Sequence, residues 1–188
     1  GFILGIAFSP GAQWMAICDL KHKCVWRMEM SSFKLTKIIT SVDGHDLNIP
    51  NYIVFEENGG FFLSESGAFR EVNGFIAYCS PTGESHIWHK GPFNFANGIA
   101  LHRDWLYIVT SFMPGVERVR VMPDGNAGKR EVFCTLPKTV PDGVAFDVHD
   151  SMYVSCYAPN RIYKVTPDRH TTMWIDDWEA HTLSNPTN

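Results

Sequence analysis

The chain has no apolar run approaching the ~18 residues that a membrane-crossing helix requires, and no block of like charge that reads as a tail. Charge is sparse altogether: Asp, Glu, Lys and Arg make up 19% of the 188 residues, 16 basic against 20 acidic, for a formal net charge of −4. A basic face for nucleic acid is therefore not expected, and neither is a membrane-surface helix. Cysteine is scarce as well. Cys18, Cys24, Cys79, Cys134 and Cys156 form an odd set that sits mostly inside apolar strand patterns, and the spacing of Cys18 and Cys24 across a hairpin fits no common zinc framework. Buried free thiols in a reducing, cytoplasmic setting are the expectation. A helical period is missing too, since no stretch repeats its apolar residues at helical spacing. The opening Gly1-Phe2-Ile3-Leu4 lacks the length and basic flank of a secretory leader and reads as the start of a repeat.

What is present is a motif that recurs almost in phase. Leu4-Gly5-Ile6-Ala7-Phe8, Asn51-Tyr52-Ile53-Val54-Phe55, Asn97-Gly98-Ile99-Ala100-Leu101 and Asp142-Gly143-Val144-Ala145-Phe146 follow at intervals of 47, 46 and 45 residues, and Pro186-Thr187-Asn188 begins a fifth copy. A period in the forties with strand-like content predicts β-propeller blades. Each repeat divides into four short strands. In the third these are Gly98 to Leu101, Trp105 to Thr110, Glu117 to Met122 and Lys129 to Cys134, punctuated by Pro123-Asp124-Gly125. The fourth copies it with Val144 to Phe146, Met152 to Cys156, Arg161 to Val165 and Thr172 to Ile175. The expected fold is all-β: a single propeller domain of about four blades, over approximately 4–49, 50–95, 96–140 and 141–185. The repeat is cut at both ends within one motif, so the chain reads as an excerpt of a larger ring. Open faces are expected at Ile6, Phe8, Trp14 and Trp26, and at Tyr153, Ile162 and Trp174.

The repeat also aligns three polar side chains, Asn51, Asn97 and Asp142, just ahead of each innermost strand. In a propeller that position faces the axis, so equivalent residues converge on one face. Amide and carboxylate oxygens together suit a hard cation better than a thiolate-seeking one. The competing reading is that they are turn residues satisfying local N–H groups. The second strands end on the same face at Asp19, Glu65, Ser111 and Cys156, which can rim the site or be satisfied strand ends. His86 and His89 are three apart on one strand and point to opposite faces. His45, His102, His149, His170 and His181 fall in turns and read as surface residues. Ser111 lacks a His or Asp partner at recognisable spacing, so a serine triad is not expected. Trp105, Trp174 and Trp178 are expected to pack between blades.

The strings P-N-Y-I-V-F at 50–55, A-N-G-I-A-L at 96–101 and P-D-G-V-A-F at 141–146 resemble the senescence-marker-protein/gluconolactonase (regucalcin-like) family, related to strictosidine-synthase-like propellers. The segment V-S-C-Y at 154–157, followed by Arg161-Ile162, is similar to the family's sequence after its P-D-G motif. The resemblance implies a six-bladed propeller in the complete protein and a metal-dependent hydrolase of a lactone or related ester. It implies Asn97 and Asp142 as metal ligands, with Asp142 also catalytic, positioning or deprotonating a water. Asn51 and Tyr52 would lie on the substrate side. The implied cofactor is a divalent cation, Ca²⁺ first, with Mg²⁺, Mn²⁺ or Zn²⁺ as alternatives; the partner is a small-molecule substrate. The sequence departs from the pattern in three places. No E-G-P-like segment supplies the family's Glu ligand, and Leu4 stands at the equivalent position of the first repeat. Ile49 replaces an Arg, and Tyr52 an Asp, which makes the pocket lip more apolar. The alternative function is a non-catalytic propeller that binds a small ligand or a protein on the same face.

Overall fold

The computed structural model describes residues 1–187. Among them there is no α-helix; a three-residue 3₁₀ turn at Pro10–Ala12 is the nearest approach, and no helix is long and apolar enough to cross a membrane. The chain forms two compact units, residues 1–96 and 97–188.

The first unit holds two four-stranded antiparallel meanders. One is built from β1 (Ile3–Phe8), β2 (Trp14–Asp19), β3 (Cys24–Glu29) and β4 (Leu35–Ile39). A small hairpin follows, β5 (Ser41–Val42) and β6 (His45–Asp46), turning at Asp43-Gly44. The second meander is β7 (Pro50–Phe55), β8 (Phe61–Glu65), β9 (Gly74–Cys79) and β10 (Ser85–Phe93). Ala16, Cys18 and Val25 of the first sheet share one core with Ile53, Phe61 and Leu63 of the second. Trp14 belongs to it, edge-on to Phe55 at 5.0 Å. Trp14 therefore does not line an open face, whereas Ile6 and Phe8 on β1 are exposed.

The second unit repeats the plan with β11 (Ala96–His102), β12 (Trp105–Thr110), β13 (Gly115–Val121) and β14 (Ala127–Thr135), then β15 (Val140–Phe146), β16 (Met152–Ala158), β17 (Arg161–Val165) and β18 (Thr171–Asp176). Val109 and Val116 pack on Val144, Met152 and Val154. Two tryptophans do not pack between blades, and for Trp174 this agrees with its expected place on an open face. Trp174 and Trp178 are exposed, and Trp174 meets only Tyr153 of its own sheet at 4.8 Å among the ring pairs described. Trp105 lies under the Arg118 guanidinium, 4.0 Å away on the neighbouring strand of the same sheet. His102 is not a surface loop residue either. It ends β11, stacks on Phe146 at 4.1 Å and bonds Asp150 Oδ1 at 2.9 Å. All five cysteines are free and buried, as their place in apolar strands predicts.

Two glycines let inner strands meet backbone to backbone. A Cβ on Gly5 would lie 2.5 Å from the Asn51 carbonyl oxygen, and one on Gly98 would lie 2.6 Å from that of Asp142. The Gly of one repeat's motif thus makes room for the leading residue of the next.

The end of β2 is held by a buried carboxylate. Asp19 accepts hydrogen bonds from Phe2 N–H (3.1 Å), His22 N–H (3.2 Å) and Trp26 Nε1 (3.1 Å), and pairs with His22 Nδ1 (2.7 Å). Burial alone would raise its carboxyl; the bonds from His22, Phe2 and Trp26 outweigh burial and hold it well below the usual range. Its stabilisation is therefore present above the ordinary carboxylate range and lost as pH falls through the depressed value. Asp19→Asn should cost about 2 kcal/mol at neutral pH, because the amide nitrogen meets donors. The gap to wild type should narrow in acid. Urea midpoints at neutral and acid pH test this, and a pH-independent gap would refute it.

Candidate metal and substrate site

Asn51 and Asp142 are each aimed by an irregularity in the ladder. In the second sheet the register runs Pro50↔Glu65 and then Tyr52↔Ser64, so Asn51 has no partner on β8. In the fourth it runs Pro141↔Cys156 and then Gly143↔Ser155, so Asp142 is the extra residue. These are β-bulges, which turn a side chain out of the alternation and bend the strand. The residue that follows each bulge is fastened in the same way. Tyr52 N–H donates to Ser64 Oγ at 3.0 Å, and Gly143 N–H donates to Ser155 Oγ at 3.1 Å.

Asn97 and Asp142 come together in the second unit. Asn97 Nδ2 donates to Asp142 Oδ2 and to Ser111 Oγ, both at 3.1 Å. Ser111 in turn donates its own proton to the Pro141 carbonyl at 2.7 Å. Asn97 and Ser111 are buried, and Asp142 is half-buried. Burial pushes the Asp142 carboxyl above its ordinary range, and the Asn97 bond pulls it partly back. A carboxylate held this way is strained as an anion and gains from a nearby positive charge.

Asn51 lies in the first unit, buried, with Nδ2 donating to Ser66 Oγ at 3.0 Å; Ser66 donates to the Ala96 carbonyl at 2.6 Å. Tyr52 beside it is half-buried, its ring over the position a Gly5 side chain would take. Leu4 packs against the apolar core of this unit and brings no oxygen. Of the strand-end residues, Ser111 reaches Asn97, whereas Glu65 caps backbone. Glu65 accepts from Ile49 N–H (2.7 Å), Gly67 N–H (3.1 Å) and Asn48 N–H (3.2 Å), which partly offsets the upward push of its burial. Cys156 is buried and its thiol is pushed up to about 11 by burial, so it is inert. Ser66 and His22 were not singled out by sequence reasoning. Ser66 had a signal: like Ser111, it stands one residue past the end of a second strand.

The donor set is one carboxylate and one amide, which fits a hard, oxygen-seeking cation. Among the described residues no three His, Cys, Asp or Glu side chains stand close enough to share a metal. Two clefts contain neither Asn97 nor Asp142. One, of about 490 Å³ in the first unit, is lined by His45, Asn48, Glu65, Asn73 and Lys90. The other, of about 330 Å³ in the second unit, is lined by His102, Trp105, Arg118 and Phe146, at the end of β11 away from Asn97. The hydrogen-bonded cluster outweighs both as a candidate, because it joins the equivalent positions of two repeats.

Comparison with curated proteins returns no match. Among solved structures the chain is similar to a gluconolactonase from Xanthomonas campestris (16% identity, TM-score 0.79, 91% of this chain and 61% of that one). It is similar to a second, putative gluconolactonase to the same degree (16%, TM-score 0.78, 91% and 62%). A structure of a nidogen/laminin complex also matches (18%, TM-score 0.77, 98% and 66%). At these identities the likeness carries the fold, a β-propeller, of which the four meanders are blades. The chain spans about three fifths of the length of the gluconolactonase structures. A match to the SMP-30/gluconolactonase/LRE-like region runs over residues 4–184, nearly the whole chain, and by it the chain belongs to that family.

Proposed function

We propose that the protein is a metal-dependent hydrolase that opens a lactone or a related small ester, working in the cytoplasm on a soluble substrate. The observation that carries this reading is the contact between Asn97 and Asp142, equivalent residues of consecutive repeats 3.1 Å apart. Asn97 and Asp142 would hold the cation, Ca²⁺ first and Mg²⁺, Mn²⁺ or Zn²⁺ as alternatives. When bound, the cation polarises the ester carbonyl. Asp142 presents a second carboxylate oxygen, Oδ1, which can take a proton from an attacking water. The family resemblance assigns Asn51 and Tyr52 to the substrate, and the Tyr52 side chain favours a less polar lactone than a sugar acid. The free, buried thiols support the reducing compartment.

Lactone hydrolysis by the complete protein should be abolished by EDTA and restored by excess Ca²⁺ or Mn²⁺, followed as proton release across a lactone panel. Activity indifferent to chelation would remove the metal from the mechanism. A second reading, a non-catalytic binder, is favoured by Leu4, which gives the first repeat no oxygen ligand. It expects ligand-induced stabilisation by a lactone without turnover.

A further inference from the structure

Ser111 has one proton, and the structure spends it. The hydroxyl donates to the Pro141 carbonyl at 2.7 Å, so toward Asn97 it can only accept, and the Asn97 atom at 3.1 Å must be the nitrogen. The second proton of Nδ2 goes to Asp142 Oδ2. A half-turn of the amide would set Oδ1 against two oxygens that have no proton to give it, losing two hydrogen bonds for two repulsions. The amide has one orientation, with its carbonyl arm turned away from both acceptors.

The same device occurs independently in the first unit, where no carboxylate takes part. Ser66 donates to the Ala96 carbonyl at 2.6 Å and accepts from Asn51 Nδ2 at 3.0 Å. The register shows where the serine is absent. Pro50↔Glu65, Pro141↔Cys156 and Ile3↔Asp19 are equivalent pairs, so Ser66 corresponds to Tyr157 in the fourth sheet and Leu20 in the first. The motif residues there are Asp142 and Leu4. A serine accompanies each amide, whose two arms differ. None accompanies the carboxylate, whose arms are alike, or the leucine, which has no polar arm.

We propose that Ser111 is a positioning residue that fixes the Asn97 amide so that its oxygen is offered to the cation, and that Ser66 fixes the orientation of the Asn51 amide in the same way. The Asn97 part rests on the metal reading given above.

Calorimetric titration of the chain with Ca²⁺ alone, no lactone present, tests it through Ser111→Ala and Ser111→Thr. Loss of a group that orients a ligand typically weakens metal binding about 10–100-fold. Ser111→Ala should fall in that range, and Ser111→Thr, which keeps the hydroxyl, should bind nearly as wild type does. Melting curves separate this from a packing role, which would lower the unfolding midpoint and leave the folded protein's affinity unchanged. In the wild-type chain, the Asn97 side-chain NH₂ protons should exchange slowly by NMR, and in Ser111→Ala quickly. Fast exchange in wild type, or equal Ca²⁺ affinity in folded Ser111→Ala, overturns the proposal. Wild-type chain that binds no Ca²⁺ but protects the Asn97 NH₂ sinks the metal reading and the task assigned to Ser111, while the fixed amide stands.

Discussion

Asp142→Asn should raise the unfolding midpoint of the chain and at the same time remove its divalent-cation binding. Burial lifts the Asp142 carboxyl above its unfolded value, so folding disfavours the charged form. Its contribution is most favourable below the ordinary carboxylate range and is lost as pH rises through the raised value. The Asn side chain keeps an oxygen for the Asn97 Nδ2–H bond and carries no charge to bury. We expect a midpoint ~2–4 °C above wild type at neutral pH, the shift that about 1 kcal/mol produces in a chain of this size. That advantage should shrink to nothing in acid, where wild-type Asp142 is protonated. Ca²⁺ affinity should fall at least ~100-fold, and lactone turnover in the complete protein by ~10²–10⁴-fold. A less stable Asn variant at neutral pH would mean that the carboxylate is compensated by something other than Asn97. Asp19→Asn has the opposite sign on both axes, so the two variants measured together test the direction of each shift.

The second large effect is expected at Gly98→Val. A Cβ there would stand 2.6 Å from the Asp142 carbonyl oxygen and 2.9 Å from the Gly143 Cα. Both neighbours are backbone, so no flexible side chain can give way, and β15 must move. The cost should reach about 3 kcal/mol, the upper end for overpacking, and lower the midpoint by roughly 6–12 °C. Moving β15 also carries Asp142 away from Asn97, so the folded fraction should bind Ca²⁺ more weakly than wild type. A midpoint within a degree of wild type would show that the inner strands are not in backbone contact.

Much of the fold was legible because each strand is bounded by local chemistry. Trp105–Thr110 and Arg161–Val165 are found where alternation and turn residues put them. The innermost strands begin earlier than expected, at Ala96 and Val140 rather than at the glycine or valine after them. In the fourth sheet a bulge hides from any reading by period, since the extra residue breaks the alternation that would reveal it. The hairpin at Ser41–Asp46 went unread although Asp43-Gly44 is a turn signal, because two residues per strand show no period at all. At the site, the meeting of Asn97 and Asp142 was visible as repeat equivalence. Ser111 was visible as a strand end, but the role it shares with Ser66 was not, because their bonds run to a carbonyl thirty residues away, Ser66 to Ala96 and Ser111 to Pro141. Of the two readings open for Glu65, a rim of the site or a satisfied strand end, the second holds: it clamps three backbone amides.

The bulges at Asn51 and Asp142 give their blades a slot whose occupant is not counted by the sheet. Asn51 and Asp142 have no partner across the ladder; the register shifts by one residue at each of them, and regular pairing runs on beyond. A change of letter there leaves the neighbouring strand pairs as they were, so ligand chemistry can be rewritten one blade at a time without renegotiating the architecture. Leu, Asn, Asn and Asp at the four equivalent places are four spellings of one scaffold.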